Sequence, residues 1–174
     1  MDPFRRLAAL AGLSALAQGC ITFPVTVPLQ EQRLVGTPLA AEVGALPLDI
    51  AFDVNAEAVQ YGLERATRVR LLELELRITP SAEDDGHQDD FLFLDRAELY
   101  AEPVDARSSL PTVLVAEAEA PIDDGRTLPF VTDATVDLKP YLEEGASGRT
   151  AAFGLPPADD LTFDGTVVLG VELF

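Results

Sequence analysis

Residues Arg68 to Thr79, RVRLLELELRIT, alternate between apolar and charged positions. Leu72, Leu74, Leu76 and Ile78 share one side, and Glu73, Glu75 and Arg77 the other. A period of two is the mark of a strand with one buried face. Pro80 follows and, having no backbone donor, ends it. The same period recurs along the chain. Leu46 to Val54 (LPLDIAFDV) sets Leu46, Leu48, Ile50 and Phe52 against Asp49 and Asp53. Phe91 to Ala101 puts Phe91, Phe93, Ala97 and Leu99 on one face, and Asp95 interrupts it where a bulge or a sheet edge belongs. Thr112 to Ala120 sets Leu114, Ala116 and Ala118 against Glu117 and Glu119. Phe130 to Leu138 alternates Phe130, Thr132, Ala134, Val136 and Leu138. Arg149 to Leu155 predicts a short strand, and Phe163 to Phe174 closes the chain with Val167, Leu169, Val171 and Leu173 on one side.

Turn signals separate these runs. Ser81 to Asp90 is acidic and polar, which predicts a hairpin with a long connection. Asp123-Asp124-Gly125 is a turn, as are Asp159-Asp160 and Asp164-Gly165, and Pro156-Pro157 is a break. Little is helical. Asn55 is a plausible N-cap for a short helix over Ala56 to Ala66, which Gly62 weakens. Lys139 to Gly145 predicts a single helical turn over an open end. No βαβ alternation and no repeat of fixed period is visible. The pattern therefore predicts an all-β chain: an antiparallel β-sandwich of six to eight strands with one short helix, or failing that a small β-barrel.

The N-terminus follows a different rule. Arg5 and Arg6 precede an uncharged Ala/Leu-rich run, Leu7 to Ala17. At ~1.5 Å per residue that run is too short to cross ~30 Å of hydrocarbon. A basic front, a short apolar core and a small-residue exit make a secretory signal peptide over residues 1–19. The surroundings of Arg5-Arg6 fit a twin-arginine signal less well. The exit, Leu16-Ala17-Gln18-Gly19-Cys20, resembles the lipobox of bacterial lipoproteins, in which a small residue precedes an obligatory cysteine. Leu16 and Ala17 match its apolar and small positions, and Gln18 departs from the usual pattern. The resemblance covers the first twenty residues and does not extend to 21–174. It implies cleavage before Cys20, diacylglyceryl on the thiol and a third acyl chain on the new amine. Two or more chains anchor stably where one does not. Cys20 is the one cysteine of the chain, so no internal disulfide competes for it. An ordinary signal peptide with a stray cysteine is the plainer alternative. By resemblance to enterobacterial lipoproteins, Ile21 after the cysteine points to the outer rather than the inner membrane.

Residues 20–45 contain Pro24, Pro28, Pro38, Gly36 and Gly44. They read as a lipidated N-terminus and Pro-rich tether, with an edge strand around Gln32 to Val35, ahead of a β-sandwich domain over 46–174. The whole chain carries 12 Lys and Arg against 30 Asp and Glu, a formal charge of −18. Residues 1–19 hold Asp2, Arg5 and Arg6, a net +1, so the remainder carries −19. So acidic a domain repels nucleic acid and anionic headgroups. It suits a basic protein partner or a cation. An apolar share of 48% is enough for a core, which excludes a disordered acidic chain.

The densest candidate chemistry is Glu83, Asp84, Asp85, Asp89 and Asp90 around Gly86 and His87. Clustered carboxylates favour hard cations such as Ca²⁺. The spacing is not an EF-hand, since Leu92 stands where the bidentate Glu belongs. The first reading of the cluster is a solvated hairpin loop whose charges resist edge aggregation; a weak Ca²⁺ site is the alternative. His87 is the one histidine and cannot supply the imidazoles of a catalytic zinc. As a general base it would need Ser81, Ser108 or Ser109, and the G-x-S-x-G pattern is absent. Carboxylates for glycoside cleavage abound, but the chain has no Trp and three Tyr, few aromatic platforms for sugar. No catalytic residue and no cofactor is assigned. The sequence thus predicts a lipid-anchored, acidic β-sandwich of the bacterial envelope that binds a partner protein or serves a structural role. A Ca²⁺-dependent adhesion or carbohydrate-binding module comes second, and a carboxylate hydrolase third.

Overall fold

The computed structural model describes residues 21–34, 46–48, 64–79, 90–103, 105–120, 125–144, 147–155, 157 and 161–173. Nine strands and one helical turn follow in order: β1 Ile21–Leu34, β2 Leu46–Leu48, β3 Arg68–Ile78, β4 Leu94–Glu102, β5 Val113–Glu119, β6 Thr127–Pro129, β7 Val131–Thr132, α1 Lys139–Glu143, β8 Ser147–Gly154 and β9 Leu161–Leu173. They form two antiparallel sheets, ordered β1-β9-β3-β6 and β2-β8-β4-β5-β7. Each sheet ends on two open edges among the described residues, so the architecture is a β-sandwich and not a closed barrel.

The core lies between the sheets. The four-stranded sheet contributes Val69, Leu71, Leu74, Leu76, Ile78, Leu128, Leu161, Phe163, Val167, Leu169 and Val171. The five-stranded sheet answers with Leu94, Ala97, Leu99, Val115, Ala116, Ala118 and Ala152. Its inner face is rich in alanine, so the larger side chains of the opposite sheet fill most of the volume. Phe91, just ahead of β4, meets Phe163 of β9 edge-on, with ring centroids 6.0 Å apart at 68°. That contact ties the two layers together.

Bulges decide which side chains enter this core, and they correct two of the sequence faces. In β3 the register against β9 slips between Leu71 and Glu73. Val69 and Leu71 therefore point inward with Leu74, Leu76 and Ile78, and Leu72 turns out to 39% exposure. In β5 the register slips beside Val115, because Leu99 pairs with Ala116 and Tyr100 with Leu114. Val115 and Ala116 are both buried, and Leu114, expected inside, lies on the outer face. The interruption expected at Asp95 is a bulge, between Leu94 and Arg96 in the pairing with β8.

The expected strand Phe130 to Leu138 is a corner instead. β6 pairs with β3, the chain turns at buried Phe130, and β7 joins β5 in the other sheet. Phe130 N–H donates to the Leu74 carbonyl at 2.9 Å. Asp133 then stops the strand. Its carboxylate accepts from the Thr135 N–H at 2.8 Å and the Thr135 hydroxyl at 2.6 Å, and the hydroxyl in particular holds its carboxyl below the usual range. Such local side-chain bonds compete with a sheet ladder. Arg68 holds the Ala134 and Thr135 carbonyls, and Asp137 accepts from Val69 N–H at 3.1 Å and Lys139 N–H at 3.0 Å. Leu138 and Tyr141 are thereby lowered onto the core, and the expected helical turn is α1.

The expected tether needs the largest correction. Ile21–Leu34 is a 14-residue edge strand paired with β9 along its length. Pro24 and Pro28 share one parity, so both missing N–H groups fall on the open edge, where proline is tolerated. Near its end Glu31 adopts φ +49 in a bulge, and its N–H donates to the Asp164 carboxylate at 2.9 Å. Residues 35–45 lie outside the described residues. So do Asp49 to Val54 and most of the expected helix, of which Glu64 and Arg65 form a turn.

Candidate functional site

Cys20 lies outside the described residues, as do Glu83, Asp84, Asp85, His87 and Asp89. Asp90 is described. Its carboxylate accepts from the Leu92 N–H at 3.0 Å, which turns the chain toward β4. Ser108 does similar work in its own loop, accepting from the Leu110 N–H at 3.0 Å. Among the described residues no three His, Cys, Asp or Glu side chains are grouped to hold a metal ion.

The structure builds a face that the sequence did not disclose. Once Asp95 is absorbed in its bulge, β4 sends Ala97, Leu99 and Ala101 inward and Arg96, Glu98, Tyr100 and Glu102 outward. Register then forms three rungs across the outer face of the five-stranded sheet. Arg96 stands between Glu119 and Phe153, Glu98 between Glu117 and Ala151, and Tyr100 between Leu114 and Arg149.

Each rung has its own electrostatics. The Arg96 guanidinium lies 4.3 Å from the centroid of the Phe153 ring, a cation–π distance. Its Nε is 3.3 Å from Glu98 Oε1. Glu98 Oε2 accepts from the Tyr100 hydroxyl at 2.6 Å. Glu98 is thus held from both sides, with a side chain only 12% exposed. That offsets the cost of a like charge, Glu117, directly opposite. Arg149 reaches toward Glu102 at 3.9 Å, a surface pair worth under about 1 kcal/mol. The result is a shallow acidic face with three arms: an arginine stacked on an aromatic, a shielded carboxylate, and a tyrosine. Leu114 at 37% and Val131 at 73% exposure add apolar area on the β5–β7 side. Carboxylates are present in facing positions, Glu98 opposite Glu117, and Glu98 is committed to Tyr100 and Arg96.

Two phenols carry a pH signature. The hydrogen bond to Glu98 is the main cause raising the Tyr100 pKa, helped by burial and by the Glu98 charge. Burial raises that of Tyr141, whose hydroxyl donates to the Pro111 carbonyl at 2.6 Å. A raised phenol keeps its proton in the folded chain after the unfolded chain has lost it. Stability is then whole below the ordinary value of 10 and falls as pH rises through it. The urea unfolding midpoint should hold to about pH 9 and drop by about pH 11. Tyr141→Phe should cost about 1 kcal/mol near neutrality and flatten that drop.

No family model matches the chain, and no curated protein matches it. Among solved structures, the crystal structure of the decameric BFDV capsid protein aligns over 90% of this chain and 100% of its own, at 12% identity and a TM-score of 0.48. The mud crab tombus-like virus cryo-EM structure aligns over 99% of this chain and 89% of its own, at 9% identity and a TM-score of 0.36. At these scores and identities neither likeness carries an argument about this chain.

Proposed function

We propose that this protein is a lipid-anchored β-sandwich of the bacterial cell envelope, held by Cys20 in the outer membrane, which binds a partner protein presenting basic groups. The observation that carries the reading is the segment Leu7 to Cys20. A short apolar run ending in a small-residue exit and the chain's one cysteine suits cleavage and acylation, and acyl chains are what a short apolar run cannot itself supply. The binding half of the reading is supported by the outer face of the five-stranded sheet. Glu98, Glu102, Glu117 and Glu119 lie there with Arg96, Tyr100 and Phe153, and Arg and aromatic side chains are enriched at protein interfaces. The formal charge of −18 sets the sign of the partner.

Partitioning into a detergent phase tests the anchor. The wild-type protein should enter the detergent-rich phase, and Cys20→Ala should stay in the aqueous phase. Equal partitioning of the two rejects acylation. Charge reversal at Glu117 and Glu119, both exposed, should abolish capture of an envelope partner while the protein stays folded.

A further inference from the structure

Strand β1 shows a gradient along its inward-facing side. Ile21, Phe23, Val25, Val27 and Leu29 pair with Leu173, Val171, Leu169, Val167 and Gly165 of β9, and so share the face that lines the core. Leu29 is 4% exposed and Val25 and Val27 are half-buried, but Phe23 is 48% and Ile21 58% exposed. The core face therefore runs out into solvent at the end of β1 that follows Cys20. No spacer intervenes. At ~3.8 Å per residue the Cα atoms of Ile21 and Phe23 lie within roughly 4 and 11 Å of that of Cys20. Glu172, the carboxylate nearest this end in the register, is paired with Arg70, so its charge is met within the protein.

We infer that this apolar end of β1, Ile21 and Phe23, docks into the headgroup boundary of the lipid leaflet that holds the anchor. The inference rests on acylation of Cys20. Acyl chains on that residue place the start of β1 at the glycerol level, where apolar side chains sink ~5–10 Å into the boundary. The sandwich then stands on the membrane by its own strand and does not float above it on a leash. It also stands with one orientation, which leaves the outer face of the five-stranded sheet free for a partner.

The chain has no tryptophan, so Phe23→Trp introduces a sole reporter at a half-exposed aromatic site, and Ile21→Trp an independent second one. The acylated protein is reconstituted in phosphatidylcholine vesicles whose chains are brominated near the headgroup end. The introduced tryptophan should emit to the blue and lose roughly half or more of its emission, as a ring within the ~5–10 Å boundary must. Leu155→Trp is the control. Leu155 follows β8 toward the β9 end that pairs with Leu34, roughly 40 Å along β1 from Ile21 at ~3.3 Å per residue, and should remain unquenched. An acylated, vesicle-bound protein whose reporters at 21 and 23 emit as in water overturns the docking alone. Blue-shifted but unquenched emission means that protein covers the site and also overturns it. A mass without acyl groups removes the anchor and this inference together.

Discussion

Replacing Phe91 with alanine is expected to lower the unfolding free energy by about 4 kcal/mol, roughly a quarter to four fifths of what a domain holds. Phe91 is 1% exposed and sits in the turn that feeds β4. Its ring meets Phe163 across the layers, and an edge-on pair adds about 1 kcal/mol beyond burial. The neighbouring side chains cannot close over the gap readily, because the Phe91 backbone is itself fixed. Its N–H donates to the Gly125 carbonyl at 2.7 Å, and its carbonyl accepts from the Leu94 N–H at 2.9 Å. Phe91→Leu should recover more than half of the loss. Urea titration with an unchanged slope is the measurement, and a loss under about 1 kcal/mol would mean that the contact does not join the sheets.

Gly154→Ala should cost about as much, by a different mechanism. Gly154 has φ +144, and a Cβ there would stand 2.2 Å from the Phe93 carbonyl oxygen and 2.9 Å from the Asp95 nitrogen. Both are backbone atoms, so no side chain can move aside. The residue lies where β8 meets the Asp95 bulge, and Leu155 N–H donates to that same Phe93 carbonyl at 2.8 Å. Backbone strain of 1–3 kcal/mol and a forced shift of β4 add to about 4 kcal/mol. Gly170→Ala is the contrast. Its Cβ would meet only the Leu72 side chain, at 2.9 Å, and Leu72 is 39% exposed and free to swing. That variant should lose under about 1 kcal/mol. Equal losses for the two glycines would refute the backbone argument.

The strand-period alternation made the sandwich legible, and where it misled, the cause was local. A bulge inserts one residue, so every side chain beyond it changes face. Leu72 and Leu114 were misplaced for that reason, and no residue type in RVRLLELELRIT or TVLVAEAEA marks the extra position. Asp95 was legible because a charge stood on an apolar face. Strand β1 was hidden in plain view. ITFPVTVPL alternates cleanly, but its prolines argue against a strand until one sees that both occupy the open edge. The corner at Phe130 depends on Asp133 and Arg68, which lie 65 residues apart in sequence and act on the same turn.

The outer face of the five-stranded sheet was illegible for a stronger reason. Arg96 meets Phe153, and Glu98 meets Glu117, only through strand register across 57 and 19 residues. Composition showed the acidity but not where the arginine and the aromatics would gather. The N-terminal signal is the opposite case. The proposal for it rests on a linear pattern, Leu7 to Cys20, which needs no fold to be seen.

The central claim is a modified cysteine joined without a spacer to the first strand of the sandwich. Intact mass of the protein extracted from membranes tests it most directly. The account predicts a chain beginning at residue 20 and heavier than the bare polypeptide by its acyl groups. A chain that retains residues 1–19, or a Cys20 with a free thiol and amine, would contradict it.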